Sequence, residues 1–235
     1  MRFSIVIPAY NEEEMIAKTL LSLRRLGTPR KDYEVIVVDN NSKDKTGEIA
    51  RANGADKVVF ESEPGTNFAR EAGRKAATGE IIAFLDADTT PPIDWLSKIE
   101  ESLSRKNVVA VSGPYDYGFE GIMRFVDGVY SKHFLPIVPK ILRVLFWRKA
   151  GVLIGGNFAA WNWALEKIGG LPPLRFYGDD VAIAMLLSRR VGGVYFNPEL
   201  KVKSSPRRFE KEGLLKTNNK YISTYLKIYF SKEFR

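Results

Sequence analysis

Two aspartates one residue apart, Asp86 and Asp88, close the apolar run Ile81-Ile82-Ala83-Phe84-Leu85. At the end of a strand, residues i and i+2 share a face, so both carboxylates project into one cleft. A pair of carboxylates at the mouth of a sheet is a hard oxygen site of the kind Mg²⁺ or Mn²⁺ prefers, with coordination positions left open for the phosphate oxygens of a nucleotide. A cation held there offsets charge on a departing diphosphate. An isolated Asp-x-Asp is also found as a helix cap beside a solvated neighbour, so its meaning depends on its surroundings.

Those surroundings are polar and recur at strand ends. Pro8, Ala9, Tyr10, Asn11 and Glu12 follow the run Phe3-Ser4-Ile5-Val6-Ile7 and open a helix. They place a planar ring and polar side chains beside helix-terminal amides, which suits a base and a ribose. Asp39 ends Val35-Ile36-Val37-Val38 and can accept hydrogen bonds from a base N–H or a ribose hydroxyl, while Ser42 and Asp44 read as helix caps. Arg70, in a third helix beginning near Asn67, reaches the same edge, either as a ligand contact or as half of an ion pair.

The elements that must position these groups alternate. Apolar runs at 3–7, 35–39, 57–60, 81–86 and 108–113 are separated by helical patterns at 12–26, 44–53, 67–77 and 94–105. Runs apolar on both faces and separated by helices predict an α/β architecture, a mostly parallel central sheet with helices on both faces. In such sheets ligands gather beyond the carboxyl ends of the strands, where Tyr10, Asn11, Asp39, Asp86 and Asp88 all fall. The expected organisation is a catalytic domain over 1–205, with a Rossmann-like nucleotide-binding half (1–113) and an acceptor-binding half (114–205). A basic amphipathic C-terminal extension over 206–235 completes it.

The chain has 235 residues, 45% hydrophobic, with a net charge of +8. Such a charge favours anionic partners: nucleic acid, an anionic membrane surface or a phosphorylated substrate. With no cysteine and His133 as the single histidine, disulfides, thiolate nucleophiles and the usual zinc sets are excluded as the main chemistry, and a metal here is held by oxygen. The first apolar run is too short for a signal peptide or a spanning helix, so the expected location is cytoplasmic.

The ordered set VIPAYNEE (6–13), VVDNNSKDKT (37–46), NFAREAG (67–73), FLDADT (84–89) and GDD (178–180) resembles the inverting family 2 glycosyltransferases with the GT-A fold, from Phe3 to about Pro198. The resemblance implies a nucleoside-diphosphate-sugar donor, UDP- or GDP-linked, bound by Pro8, Tyr10, Asn11, Glu12, Asp39, Arg70, Asp86 and Asp88. Of the last two, Asp88 is expected as the direct ligand of Mg²⁺ or Mn²⁺. The family's base belongs to an acidic pair that opens a helix, here Asp179-Asp180 where Glu-Asp is usual. Asp180 is taken as the base that deprotonates a hydroxyl or phosphate acceptor, while a pair merely capping its helix is the structural alternative. Gly155-Gly156-Asn157 through Trp161 resembles the segment lining the acceptor and donor sugar, although Trp161 reads equally as core. Arg207 and Arg208 match a C-terminal arginine motif loosely and are assigned either to the diphosphate or to a solvated basic turn.

Two rivals make different demands. Asp86-Ala-Asp88-Thr89-Thr90 also fits the motif of haloacid-dehalogenase-like phosphatases, in which Asp86 would be a covalent nucleophile. That nucleophile normally ends the first strand, whereas three β-α units precede Asp86 here. A non-catalytic basic membrane-binding module is the other rival. The stretch 119–150 mixes large apolar and basic side chains, and Phe134, Leu142, Phe146 and Trp147 are candidates to meet the inner face of a membrane and receive a lipid-linked acceptor. A buried amphipathic helix or an oligomer contact would show the same pattern. No nucleic-acid motif is present and no G-x-G-x-x-G follows the first strand, so neither nucleic acid nor NAD is expected as a partner.

Overall fold

The computed structural model describes residues 1–121, 128–129, 132–133, 135–146, 149–174, 178–205 and 223–231. The elements in chain order are β1 (Phe3–Ala9), α1 (Ile16–Leu23), β2 (Tyr33–Asp39), α2 (Thr46–Ala52), β3 (Lys57–Phe60), α3 (Thr66–Ala76) and β4 (Ile81–Leu85). They continue as β5 (Thr89–Thr90), α4 (Trp95–Leu103), β6 (Val108–Ser112), β7 (Tyr115–Asp116), α5 (Leu135–Phe146), β8 (Asn157–Trp161) and α6 (Asn162–Lys167). Last come α7 (Asp179–Arg190), β9 (Gly193–Phe196), β10 (Val202–Ser204) and a helix α8 over 223–230.

Seven strands form one sheet in the order β3-β2-β1-β4-β8-β6-β9. Alternation explains its two cores. Phe3, Ile5, Ile7, Tyr33, Val35, Val37, Ile81, Ala83 and Leu85 bury one face under α1 and α4, while Val6, Ile36, Val38, Ile82 and Phe84 bury the other in a core shared with α3, α7 and α8. The parallel sheet read from the sequence is therefore interrupted once, by β8, which runs antiparallel to both β4 and β6. Phe84 on β4 stacks on Phe158 of β8 with ring centroids 4.5 Å apart, both rings fully buried. Burial of this kind contributes about 1.5–3 kcal/mol per side chain and fixes β8 beside β4.

The 113/114 boundary does not divide the sheet, because β8 lies between β4 and β6. A small second sheet, β5-β10-β7, likewise joins residues from both sides of that boundary. The C-terminal segment read as an extension contributes α8 to the same core: Tyr229 is fully buried and donates to the Leu142 carbonyl at 3.2 Å. Correspondingly, Leu142 faces inward and not toward solvent. The side chains of Phe134, Phe146 and Trp147, together with Arg207 and Arg208, lie outside the described residues.

One buried carboxylate ties the sheet to its helices away from the strand-end cleft. Glu34 accepts from Ser4 Oγ at 2.7 Å and from Thr78 N and Oγ1 at 2.7 Å each, and pairs with Lys57 Nζ at 2.9 Å. Burial alone would raise its pKa, but the hydrogen bonds from Ser4, Lys57 and Thr78 outweigh it and hold the carboxyl at about 2. A depressed acid contributes stability that is complete above its unfolded value, near 4.5, and is lost as pH falls through about 2. The shift corresponds to about 3 kcal/mol. Glu34→Gln is accordingly expected to lower the midpoint of urea unfolding at pH 7, with the difference from the parent shrinking as the pH is taken from 4.5 toward 2.

Candidate active site

The β1–α1 and β2–α2 connections are laced together at the sheet's carboxyl edge. Asn11 N donates to Ser42 Oγ at 3.1 Å and Lys43 N to Asn11 Oδ1 at 2.8 Å, while Glu12 N donates to Thr46 Oγ1 at 2.8 Å. Asn11 sits at φ +52, a left-handed conformation that asparagine tolerates better than most residues. Its side chain thus holds the two loops in register. Tyr10 beside it is 58% exposed, leaving a ring face open, and Pro8 is partly buried at the end of β1. Asp39 Oδ1 accepts from Ser42 N at 2.9 Å, and Gly47 leaves room for its other oxygen, which a Cβ there would meet at 2.7 Å.

Across β1, α3 delivers Arg70, which is 3% exposed. Its Nη1 donates to Asp179 Oδ2 at 2.6 Å and its Nη2 to Asp86 Oδ1 at 3.4 Å, with Cζ 6.0 Å from the centroid of the Phe158 ring. Arg70 thus forms an ion pair that joins the two acidic motifs. Buried charge is tolerable only when paired, and here two carboxylates supply the compensation. Arg70 Nε, also buried, has no hydrogen-bond partner among the described residues.

The second Asp86 oxygen is held as well, accepting from Tyr115 Oη at 2.6 Å. Burial, and then the Asp86 charge, push the Tyr115 phenol well above its usual pKa, so it remains a donor. Motif spacing does not single out Tyr115. A signal exists all the same, because it follows the apolar run of β6 much as Tyr10 follows that of β1. Gly156 explains how Asp86 fits: a Cβ there would lie 1.9 Å from Asp86 Oδ2 and 2.2 Å from Tyr115 Oη, and a Cβ on Gly155 would lie 2.8 Å from Arg70 Nη2. Both glycines are needed for close approach and not for an unusual turn. With both oxygens engaged, Asp86 is poorly placed to act as the nucleophile that the phosphatase reading requires.

Asp179 and Asp180 open α7, where helix-terminal amides favour negative charge. Gly178, at φ +86, precedes them and packs under α8, where a Cβ would strike Ile228 and Thr224. Burial, followed by the neighbouring Asp179 charge, raises the Asp180 carboxyl to about 7, against the opposing effects of Arg70 and the amides of Val181 and Gly155. The two members of the pair therefore differ: Asp179 is ion-paired with Arg70, while Asp180 has its carboxyl raised toward neutrality.

Asp88 is partly exposed two residues beyond Asp86. Among the described residues no three Asp, Glu or His side chains gather as a metal cage. A hard cation fits here only with diphosphate oxygens and water completing a shell begun by strand-end carboxylates, and that donor set is the one Mg²⁺ and Mn²⁺ accept.

Two expected contacts lie elsewhere. Asn157 is fully buried; its Oδ1 accepts from Trp95 Nε1 at 3.0 Å and its Nδ2 donates to the Leu200 carbonyl at 2.6 Å. Its amide ties β8 to α4 and the β9–β10 connection, which removes it as an acceptor contact. Trp161 pairs with Ile81, at the opposite end of β4 from Leu85, which pairs with Asn157. Four residues along a strand is roughly 13 Å, so Trp161 stands away from Asp86. Its ring lies under Arg2, 5.1 Å from the guanidinium carbon. From Asn157 onward the segment is a strand, and Trp161 packs against the core, the alternative that its sequence left open.

Against known proteins, the model of Glycosyl transferase family 2 matches residues 4–169. A probable glycosyltransferase, YdaM of Bacillus subtilis, is 36% identical over 202 residues, covering 78% of this chain and 44% of its own length. The chain spans less than half the length of the curated relatives it matches. Among solved structures, the mannosyltransferase PcManGT of Pyrobaculum calidifontis, in complex with GDP-Man and Mn²⁺, superposes with a TM-score of 0.70 at 24% identity, covering 94% of this chain and 64% of that one. Glucosyl-3-phosphoglycerate synthase of Mycobacterium tuberculosis, with Mn²⁺, UDP-glucose and phosphoglyceric acid, gives 0.68 at 24% identity over 97% and 79%. These likenesses establish the fold as GT-A.

Proposed function

Because the chain belongs to glycosyl transferase family 2, we propose that it transfers a sugar, with inversion, from a UDP- or GDP-linked donor to a hydroxyl or phosphate acceptor. The observation that carries this reading is the Arg70 bridge, which sets a carboxylate titrating near neutrality beside the strand-end aspartates. Asp180 takes the acceptor proton as its oxygen attacks the anomeric carbon on the face opposite the leaving diphosphate. Tyr10 offers its exposed ring to the base, and Asp39 accepts from the base or ribose. Tyr115 and Arg70 hold Asp86 in a single orientation, and Arg70 Nε remains as a buried donor for a ligand oxygen or a water.

Asp88, with Asp86 behind it, is assigned to the divalent cation, Mg²⁺ or Mn²⁺. When bound, that ion supplies charge neutralisation for the diphosphate leaving group. The solved neighbours with GDP-Man or UDP-glucose and Mn²⁺ support both the donor class and the ion. The acceptor is a hydroxyl or phosphate compound, lipid-linked in one version of this reading. A relative of Pectobacterium atrosepticum, an undecaprenyl-phosphate 4-deoxy-4-formamido-L-arabinose transferase 33% identical over 112 residues, lends support to that version. The matching location is the cytoplasm at the inner membrane face.

A thermal-shift panel of nucleoside diphosphates and sugar nucleotides, with and without Mn²⁺, tests the proposal. We expect a UDP or GDP compound to raise the melting temperature by several degrees only when the ion is present, as binding to the folded state requires. No shift with any sugar nucleotide at saturating Mn²⁺ would refute it.

A further inference from the structure

The surface of α5 carries an apolar stripe on a face that does not include Leu142. Ile137, Ile141, Val144 and Leu145 are all exposed, Val144 at 74% and Leu145 at 63%, and their i, i+4, i+7, i+8 spacing puts them on one helical face. Leu142, on another face, is the residue that enters the core. Lys140 and Arg143 are exposed along one border of the stripe. The neighbouring helix α8, held against α5 by the Tyr229 hydrogen bond to Leu142, adds exposed Leu226, Lys227 and Phe230.

Charge selects the occupant. Between residues 128 and 165 the chain has five lysines and arginines, Lys132, Lys140, Arg143, Arg148 and Lys149, and no Asp or Glu. Glu199, paired with Lys132 at 3.7 Å, is the acidic partner contributed from another element. A two-fold contact with a second copy would set this patch against itself and bring cation against cation. Nucleic acid would match the charge but leave four aliphatic side chains in water. An anionic bilayer answers both, taking the apolar stripe into the headgroup boundary and the cations to its phosphates. Helix α5 is 12 residues long, and no helix among the described residues is long and apolar enough to cross a membrane, so the geometry is that of a helix lying in the surface.

We propose that the α5 stripe, with the exposed edge of α8, docks this chain on an anionic lipid bilayer. The surface adjoins the candidate active site by chain and by packing. The segment leaving α5 runs to Gly155 and Gly156, which abut Arg70 and Asp86, and α8 packs on Gly178 at the start of the Asp180 helix.

Flotation with phosphatidylcholine vesicles, with and without phosphatidylglycerol, tests this on the whole chain and without any glycosyl transfer, so its failure leaves the transferase reading intact. We expect binding to phosphatidylglycerol vesicles at low salt and its loss at high salt. Val144→Glu with Leu145→Glu, or Lys140→Glu with Arg143→Glu, should weaken binding by about tenfold or more. The melting temperature should be unchanged, since these side chains are exposed. Absence of binding at low salt, or binding that neither pair weakens, would overturn the proposal. So would a dimer in sedimentation equilibrium that the Val144→Glu and Leu145→Glu pair dissociates while vesicles are not bound.

Discussion

Asp180→Asn is expected to lower turnover by about 10²–10⁴, the range a positioned general base supplies, while the donor-induced thermal shift stays at its parent size. The asparagine keeps the shape of the side chain and removes its capacity to accept a proton. The pH profile provides a second readout. With burial and Asp179 raising the Asp180 carboxyl to about 7, kcat should rise with pH and level off above neutrality as the carboxylate ionises. Asp179→Asn removes one of the influences that raise it, so the rising limb should move to lower pH. Near-parent turnover in Asp180→Asn, with the limb intact, would show that another group takes the proton. An unmoved limb in Asp179→Asn would show that the two aspartates are not electrostatically linked.

The second large effect is expected from Asp88→Asn. Loss of a cation-binding carboxylate should remove the Mn²⁺-dependent part of donor stabilisation and reduce kcat/KM by about a hundredfold or more, as the several kcal/mol of metal stabilisation imply. The melting temperature without ligand should change little, because Asp88 is partly exposed. Asp86→Asn should behave differently. The Arg70 and Tyr115 hydrogen bonds to its two oxygens would lose their charge-assisted acceptor, so both the ligand-free melting temperature and donor binding should fall. Unchanged Mn²⁺-dependent donor binding in Asp88→Asn would remove that residue from the ion's site.

The Arg70 bridge also accounts for Gly155 and Gly156. A guanidinium and a carboxylate that must approach each other beneath a neighbouring strand leave no volume for a side chain at 155 or 156. The same packing sets the environment of Asp180, since the Arg70 charge acts on it and Gly155 supplies one of its amides. Asp86 at the strand end and Asp179 at the opening of α7 are therefore coupled through one buried side chain.

Local features are legible in the order of the residues alone. Strand ends, turn chemistry and the alternation of apolar runs depend on a few adjacent positions, so β1, β2, β4 and β6 follow from them, with Tyr10, Asp39 and Asp86 at or just beyond their ends. So does the acidic opening of α7. What only the tertiary structure decided was orientation and long-range partnership. Asn157 and Trp161 lie on a strand whose antiparallel pairing is set by β4 and β6, and register along a strand decides which end a side chain occupies. The facing of α5 was settled by α8, distant in the chain, which draws Leu142 inward and leaves Val144 outward. Arg70 met Asp179 across 109 positions, and Asp86 met Tyr115 across 29. Pairings at such separations are chosen by packing of the whole fold, and no local pattern encodes them.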